Sequence, residues 1–212
     1  MRRPMQASMS TAAGFSLIEV LVSILIVVVG LLGLAGMQAR AQVAEFESYQ
    51  RAQALVLLYD MVERINNNRA TARCFAITTD TTNGTPYYGD TTAIVPNCGA
   101  STGASNTLAD ASMVGWDDLL TGVAEQKGAA ATRVGAMIGA RGCVSYNVNT
   151  EYINATTNAN IDDTGEYTLA VSWQGMADTF APTVACGKGL YGSEARRRTV
   201  WVTMRLATLK AQ

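Results

Sequence analysis

The spacing of apolar residues changes three times along this chain. From Phe15 to Met37 the residues are almost uniformly apolar, with Glu19 the only charge. These 23 residues would form a helix of about 34 Å, enough to cross a hydrocarbon core of about 30 Å. From Arg40 the pattern becomes amphipathic. Val43, Phe46, Ala54, Leu57, Leu58, Met61 and Ile65 keep helical spacing, with Arg40, Glu45, Glu47, Arg51, Glu63 and Arg64 between them. The apolar stripe predicts a face packed on a globular domain, and Glu47 with Arg51 has the spacing of a favourable pair one turn apart. Asn66-Asn67-Asn68 supplies a stop. One continuous helix from Phe15 to Asn66 would be roughly 78 Å long, more than a small soluble domain needs.

After Thr71 the chain turns rich in Thr, Asn, Gly and Ser, and the apolar segments shorten. Ala72 to Thr79 has the composition of a strand. Thr107 to Gln126 predicts a helix with Leu108, Ser112, Trp116, Leu119 and Val123 on one face, ended by Gly128. Arg141 to Val148 predicts a strand. Glu166 to Gln174 is the clearest one, alternating Tyr167, Leu169, Val171 and Trp173 with Glu166, Thr168, Ala170 and Ser172. Arg198 to Leu206 repeats the scheme with Val200, Val202, Met204 and Leu206. Strands clustered after one long helix predict an α+β fold with an antiparallel sheet.

The charge at Glu19 carries the most information. A carboxylate inside a membrane-length apolar run is costly and points to function. It follows Gly14 by five positions, and the intervening sequence is Phe15-Ser16-Leu17-Ile18. An ordinary secretory signal would present small residues before its cut and a shorter apolar core. Gly14, Phe15 and Glu19 together resemble the prepilin signal of type IV pilins and of their secretion-system relatives, the pseudopilins. That resemblance implies cleavage after Gly14 by a membrane peptidase that also methylates the new N-terminus at Phe15. A role for Glu19 follows from charge as well, because cleavage creates an amine on Phe15 that a buried carboxylate can pair with, within the chain or on a neighbouring subunit.

The resemblance implies a pilin-like organisation. Residues 1–14 would be the leader, 15–37 a transmembrane and filament-core helix, 38–68 its amphipathic continuation, and 69–212 a globular periplasmic domain. Arg2 and Arg3 are the only charges before Glu19, and positive residues stay on the cytoplasmic side. The chain is therefore expected to be a single-pass inner-membrane protein before assembly and to lie in a pilus at the cell surface afterwards. Implied partners are other major and minor pilins, the prepilin peptidase and methylase, the inner-membrane assembly platform, and membrane lipid before assembly. Gly30, Gly33 and Gly36 recur near the end of the apolar run. They suit close helix packing or a segment softened by about 1 kcal/mol per glycine.

A second patch, Gln53-Ala54-Leu55, Asp60 to Arg64 and Asn68-Arg69, resembles the minor pilins known as type IV pilus modification proteins (PilV-type). Beyond Arg69 the likeness rests on Trp116, Trp173 and scattered cysteines.

The chain has no histidine, which removes the commonest general base and metal ligand together with Ser-His-Asp and Cys-His catalysis. No enzyme activity, catalytic residue, metal or cofactor is expected. The formal charge is −1, and loss of the leader with its two arginines makes it −3, so no nucleic-acid partner is expected. Arg196-Arg197-Arg198 is most simply a solvated turn, with contact to a neighbouring subunit's acidic surface the alternative.

Cys74, Cys98, Cys143 and Cys186 all follow the apolar run. An even number in an oxidising compartment favours two disulfides. Three connectivities are open. Pairing Cys74 with Cys98 and Cys143 with Cys186 would close the two loop-rich stretches most in need of a staple.

These readings converge on a minor pilin that takes part in assembly or initiation of a type IV pilus. A minor pseudopilin of a type II secretion system shares every N-terminal feature. A membrane-anchored adhesin or binding protein that does not polymerise is the alternative from a different class.

Overall fold

A computed structural model describes residues 14–90, 96–123, 126–127, 132–133 and 137–207. The leader before Gly14, and Gly128, lie outside the described residues. The chain divides into two compact units, Met1–Glu45 and Phe46–Gln212.

Helix α1, Leu17–Asn67, runs through both. In the first unit its apolar residues are exposed from Leu17 to Met37, and the helix is unbroken through Gly30, Gly33 and Gly36. By length and composition this helix is able to cross a membrane.

In the second unit α1 buries Gln50, Ala54, Leu58, Met61 and Ile65. These residues are three or four apart and so share one face. Val43 and Phe46, expected on that stripe, are instead exposed, at 38% and 40%, and Gln50 occupies the buried position. The helix ends where Asn68 turns its side-chain amide back to donate to the Arg64 carbonyl at 2.8 Å.

A single 3-10 turn, Arg69–Thr71, leads into the short helix α2, Ala72–Phe75. The strand expected over Ala72 to Thr79 does not form. Only its end is extended, and there Thr78 N–H donates to the Val144 carbonyl at 2.9 Å. Cys74 lies in α2 and is tied to Cys98 by a disulfide.

Helix α3, Gly103–Thr121, starts and stops earlier than its apolar pattern suggests. Thr102 caps it by accepting from Ser105 N–H. Gly122, at φ 79°, ends it in the left-handed conformation that glycine adopts without penalty. The buried face is Ala109, Met113, Trp116, Asp117 and Leu120. The expected face was therefore one position out of phase, and Leu108 is 59% exposed. Residues Gln126–Lys127 (β1), expected to end this helix, pair antiparallel with Thr132–Arg133 (β2).

The sheet consists of β3 (Arg141–Asn147), β4 (Glu166–Gln174) and β5 (Arg197–Arg205), antiparallel in that order. Its inner face supplies Val144, Tyr167, Leu169, Val171, Trp173 and Val200 to one core with Leu58, Met61 and Ile65 of α1 and Met113 and Trp116 of α3. The arrangement is α+β and pilin-like: the long helix packs on a three-stranded antiparallel sheet. Trp116 joins the layers. Its indole N–H donates to the Leu57 carbonyl at 2.9 Å, and its ring meets Tyr88 edge-on at 5.0 Å. Gly142 is required beneath it, since a Cβ there would lie 2.1 Å from the indole.

The outer face of the sheet carries Cys143 and Ala170, packed with Cys186. Cys143 and Cys186 form the second disulfide, with Cα atoms 5.7 Å apart.

Candidate functional site

Gly14, Phe15 and Ser16 precede the first helical residue and are exposed. A Cβ on Gly14 would meet nothing within 4 Å, and Phe15 is 83% exposed. Among the described residues the bond between Gly14 and Phe15 lies in no hydrogen-bonded turn.

Helix α1 begins at once behind it. Ser16 C=O accepts from Glu19 N–H at 3.0 Å and from Val20 N–H at 3.3 Å. Glu19 is the third helical residue and the only acid in the first turn. An acid there is favoured by the unpaired amides at the start of a helix. That local effect is worth only about 0.3–1 kcal/mol, much less than the several kcal/mol an unpaired carboxylate costs in hydrocarbon. Helix propensity alone does not account for a carboxylate at this position. An amine released at Phe15 would lie in the turn just before Glu19, within reach of that carboxylate or of one on a neighbouring helix.

Residues 9–35 match the family model described as the prokaryotic N-terminal methylation motif. This supports a type IV pilin-like protein. The motif spans the Gly14–Phe15 junction and the exposed apolar part of α1. Pilin-like proteins in general interact with other pilins and with the prepilin peptidase, and they are structural subunits. An apolar helix behind this motif suggests a membrane-anchored, pilin-like protein. No curated protein and no solved structure matches the chain.

The charged groups of the second unit are arranged differently from expectation. Of Arg196-Arg197-Arg198 only Arg196 stays exposed in a turn, and each arginine has a carboxylate partner within this chain. Arg196 pairs with Asp178 at 3.1 Å, Arg197 with Glu194 at 2.6 Å and Arg198 with Glu47 at 3.1 Å. Arg197 is 2% exposed and also donates to the carbonyls of Pro182, Val184 and Cys186. It thereby holds the loop before β5 beside the Cys143–Cys186 disulfide. Burial opposes ionisation of Glu194, but donation from Gly189 N–H and Arg197 holds its carboxyl below the ordinary value.

Glu47 turns to β5 rather than to Arg51. Its Oε1 accepts from Met176 N–H, Ala177 N–H and Arg198 Nη2 at 3.0–3.1 Å. Its place in the sequence signals this inward role: Glu47 lies three residues before Gln50 and seven before Ala54, in line with the buried stripe. Gln50 itself is fully buried, and neither of its amide atoms is hydrogen-bonded among the described residues.

Trp116 and Trp173 belong to the core, whereas Trp201 is 53% exposed. Asn158 lies in a turn that Asn154 N–H closes onto the Ala159 carbonyl at 2.8 Å. Among the described residues no group of three metal-binding side chains occurs.

Proposed function

We propose that this protein is a minor pilin, cleaved after Gly14, methylated at Phe15 and incorporated into, or used to initiate, a type IV pilus. Residues 1–14 are its leader, 15–37 its membrane and filament-core helix, 38–68 the amphipathic continuation and 69–212 the periplasmic domain. The observation that carries the reading is the Gly14–Phe15 junction, free of helix, directly ahead of an apolar helix with Glu19 in its first turn.

In the membrane, the apolar helix holds the subunit while the domain folds on the far side. In the filament, the same apolar surface exchanges lipid for the helices of neighbouring subunits. Glu19 makes that exchange specific: its carboxylate reaches the Phe15 amine of an adjacent subunit, so two buried charges cancel only at the correct axial register. The prepilin peptidase and the inner-membrane assembly platform act on the subunit along this route.

Deletion of the gene and analysis of sheared filaments test the proposal. The subunit should co-purify with pili, and its loss should reduce surface piliation. Loss of protein secretion with pili intact would assign it instead to a type II secretion filament. A protein that stays in the membrane while both systems work would be the non-polymerising anchored binder.

A further inference from the structure

The two edges of the sheet are treated differently. At β3 the outward main-chain groups belong to Gly142, Val144 and Tyr146, and the first two residues are paired. Gly142 and Tyr88 exchange two bonds of 2.9 and 2.7 Å, while Val144 accepts from Thr78 N–H at 2.9 Å and donates to Thr78 Oγ1 at 3.1 Å.

At β5 the direction of the main chain follows from register. Gly175 N–H donates to the Arg196 carbonyl at 2.7 Å, one step beyond the Gln174–Arg197 pair. Bonded and non-bonded pairs alternate in an antiparallel ladder. Arg198, Val200, Val202 and Met204 therefore bond β4, and Thr199, Trp201 and Thr203 direct their N–H and C=O groups away from the sheet. Among the described residues none of those six groups has a main-chain partner.

Between Arg198 and Arg205 this edge also lacks the usual protection. Natural edge strands are kept short, bulged, interrupted by proline or guarded with charged side chains, lysine above all. Strand β5 is nine residues long, contains no proline, glycine or lysine, and keeps its register without a bulge. Trp201 stands on it half exposed, the type of residue that anchors interfaces.

We infer that the outer edge of β5 is a docking strand for an extended, acidic segment of another protein, which adds a fourth strand beside Trp201 and places a carboxylate against Arg205. Arg205 is exposed and makes no ion pair among the described residues. Its guanidinium donates instead to the Thr150 and Thr164 carbonyls, at 2.7 and 3.2 Å, although Glu166 faces it in register. A second copy of β5 is the poorer occupant. The strand contains no acidic residue to set against Arg205, and in the antiparallel register centred on Trp201 the residue opposite is Arg197, already paired with Glu194. The inference does not rest on the filament reading, since the open edge and its charge belong to the second unit alone.

The test uses the full-length protein in detergent and a synthetic probe matched to the nine residues of β5, alternating Thr and Val with Glu at each end. Amide hydrogen exchange at single residues is the readout. Without probe, the amides of Thr199, Trp201 and Thr203 should exchange freely while those of Val200 and Val202 are protected. Saturating probe should slow the three outward amides by about tenfold or more, a change of about 1.4 kcal/mol. Thr203→Pro removes an outward N–H that the β4–β5 ladder does not use. It should weaken binding by about tenfold while Val200 and Val202 stay protected. On the unaltered protein, a probe ending in Lys should bind more weakly than the Glu-ended one. Four results would overturn the inference: outward amides already protected at low protein concentration, protection that appears on raising protein concentration without probe (a second copy as occupant), no slowing at millimolar Glu-ended probe, or equal binding of the two probes.

Discussion

Glu47 on α1 and Arg198 on β5 lie 151 residues apart in sequence and 3.1 Å apart in space. The carboxylate also accepts two main-chain N–H groups, from Met176 and Ala177, so one side chain fixes helix, sheet and the loop after β4. Arg198 is only 14% exposed at its side chain, and removing its partner leaves a largely buried charge uncompensated. Glu47→Ala should destabilise the protein by about 1–3 kcal/mol. Glu47→Gln keeps an acceptor and should cost less. Urea unfolding of the detergent-solubilised protein measures both.

The two disulfides bridge sequence separations of 24 and 43 residues. In the chain-entropy picture each stabilises by about 3–4 kcal/mol. Mass spectrometry of the non-reduced protein should show four hydrogens fewer than the reduced form, as two S–S bonds require, with Cys74 linked to Cys98 and Cys143 to Cys186. Crossed links would contradict the structure, and reduction should lower the unfolding midpoint.

Alkaline pH should weaken the fold before the rest of the titration range does. Burial pushes the Tyr191 hydroxyl up to about 12 from its ordinary value of 10.0, and raises Tyr88 and Tyr167 as well. A raised acid ionises first in the unfolded chain, so stability is complete below pH 10 and falls as pH rises toward 12. Tyr191 alone should account for roughly 2–3 kcal/mol of that loss. Tyr191→Phe should remove its share of the slope, read from unfolding free energies across that window. At the acid end the sign is opposite: stability contributed by Glu194 is present above its ordinary value of 4.5 and is lost as pH falls below it.

The parts of this fold that were legible in the sequence are those with one strong local period. Tyr167, Leu169, Val171 and Trp173 alternate without interruption, and β4 spans Glu166–Gln174. The stripe Ala54, Leu58, Met61, Ile65 marks the packed face of α1 in the same way. Local pattern failed where the partner is remote or the side chain small. In α3 the core is met by Ala109 and Met113, and the larger Leu108 pulls the apparent face one residue out of phase. Ile77 and Thr78 suggest a strand, but Ile77 N–H turns back to the Phe75 carbonyl and only Thr78 flanks β3. Arg198 looks solvated because its carboxylate, Glu47, lies on α1, and Arg197 because the carbonyls that bury it belong to Pro182, Val184 and Cys186. At the N-terminus the methylation motif matched over residues 9–35 was legible because it is a short linear pattern.

On the proposed reading, Glu19 serves assembly and not processing. Glu19→Leu should leave cleavage after Gly14 unchanged and the membrane-resident subunit at least as stable, since a costly buried group is gone. Incorporation into sheared filaments should fall by about tenfold or more, as expected from losing an interaction worth upwards of about 1.4 kcal/mol. Entry at the unaltered level would show that Glu19 does not set the docking register. Gly14→Val should fail one step earlier, with the leader still attached and no subunit in filaments.

Cleavage after Gly14 and methylation at Phe15 are read directly from the mass of the N-terminal peptide of this protein recovered from sheared filaments. The expected peptide begins at Phe15 and carries one additional methyl group on its amine. A peptide beginning elsewhere, or a protein found only in the membrane with residues before Phe15 still attached, would contradict the proposal.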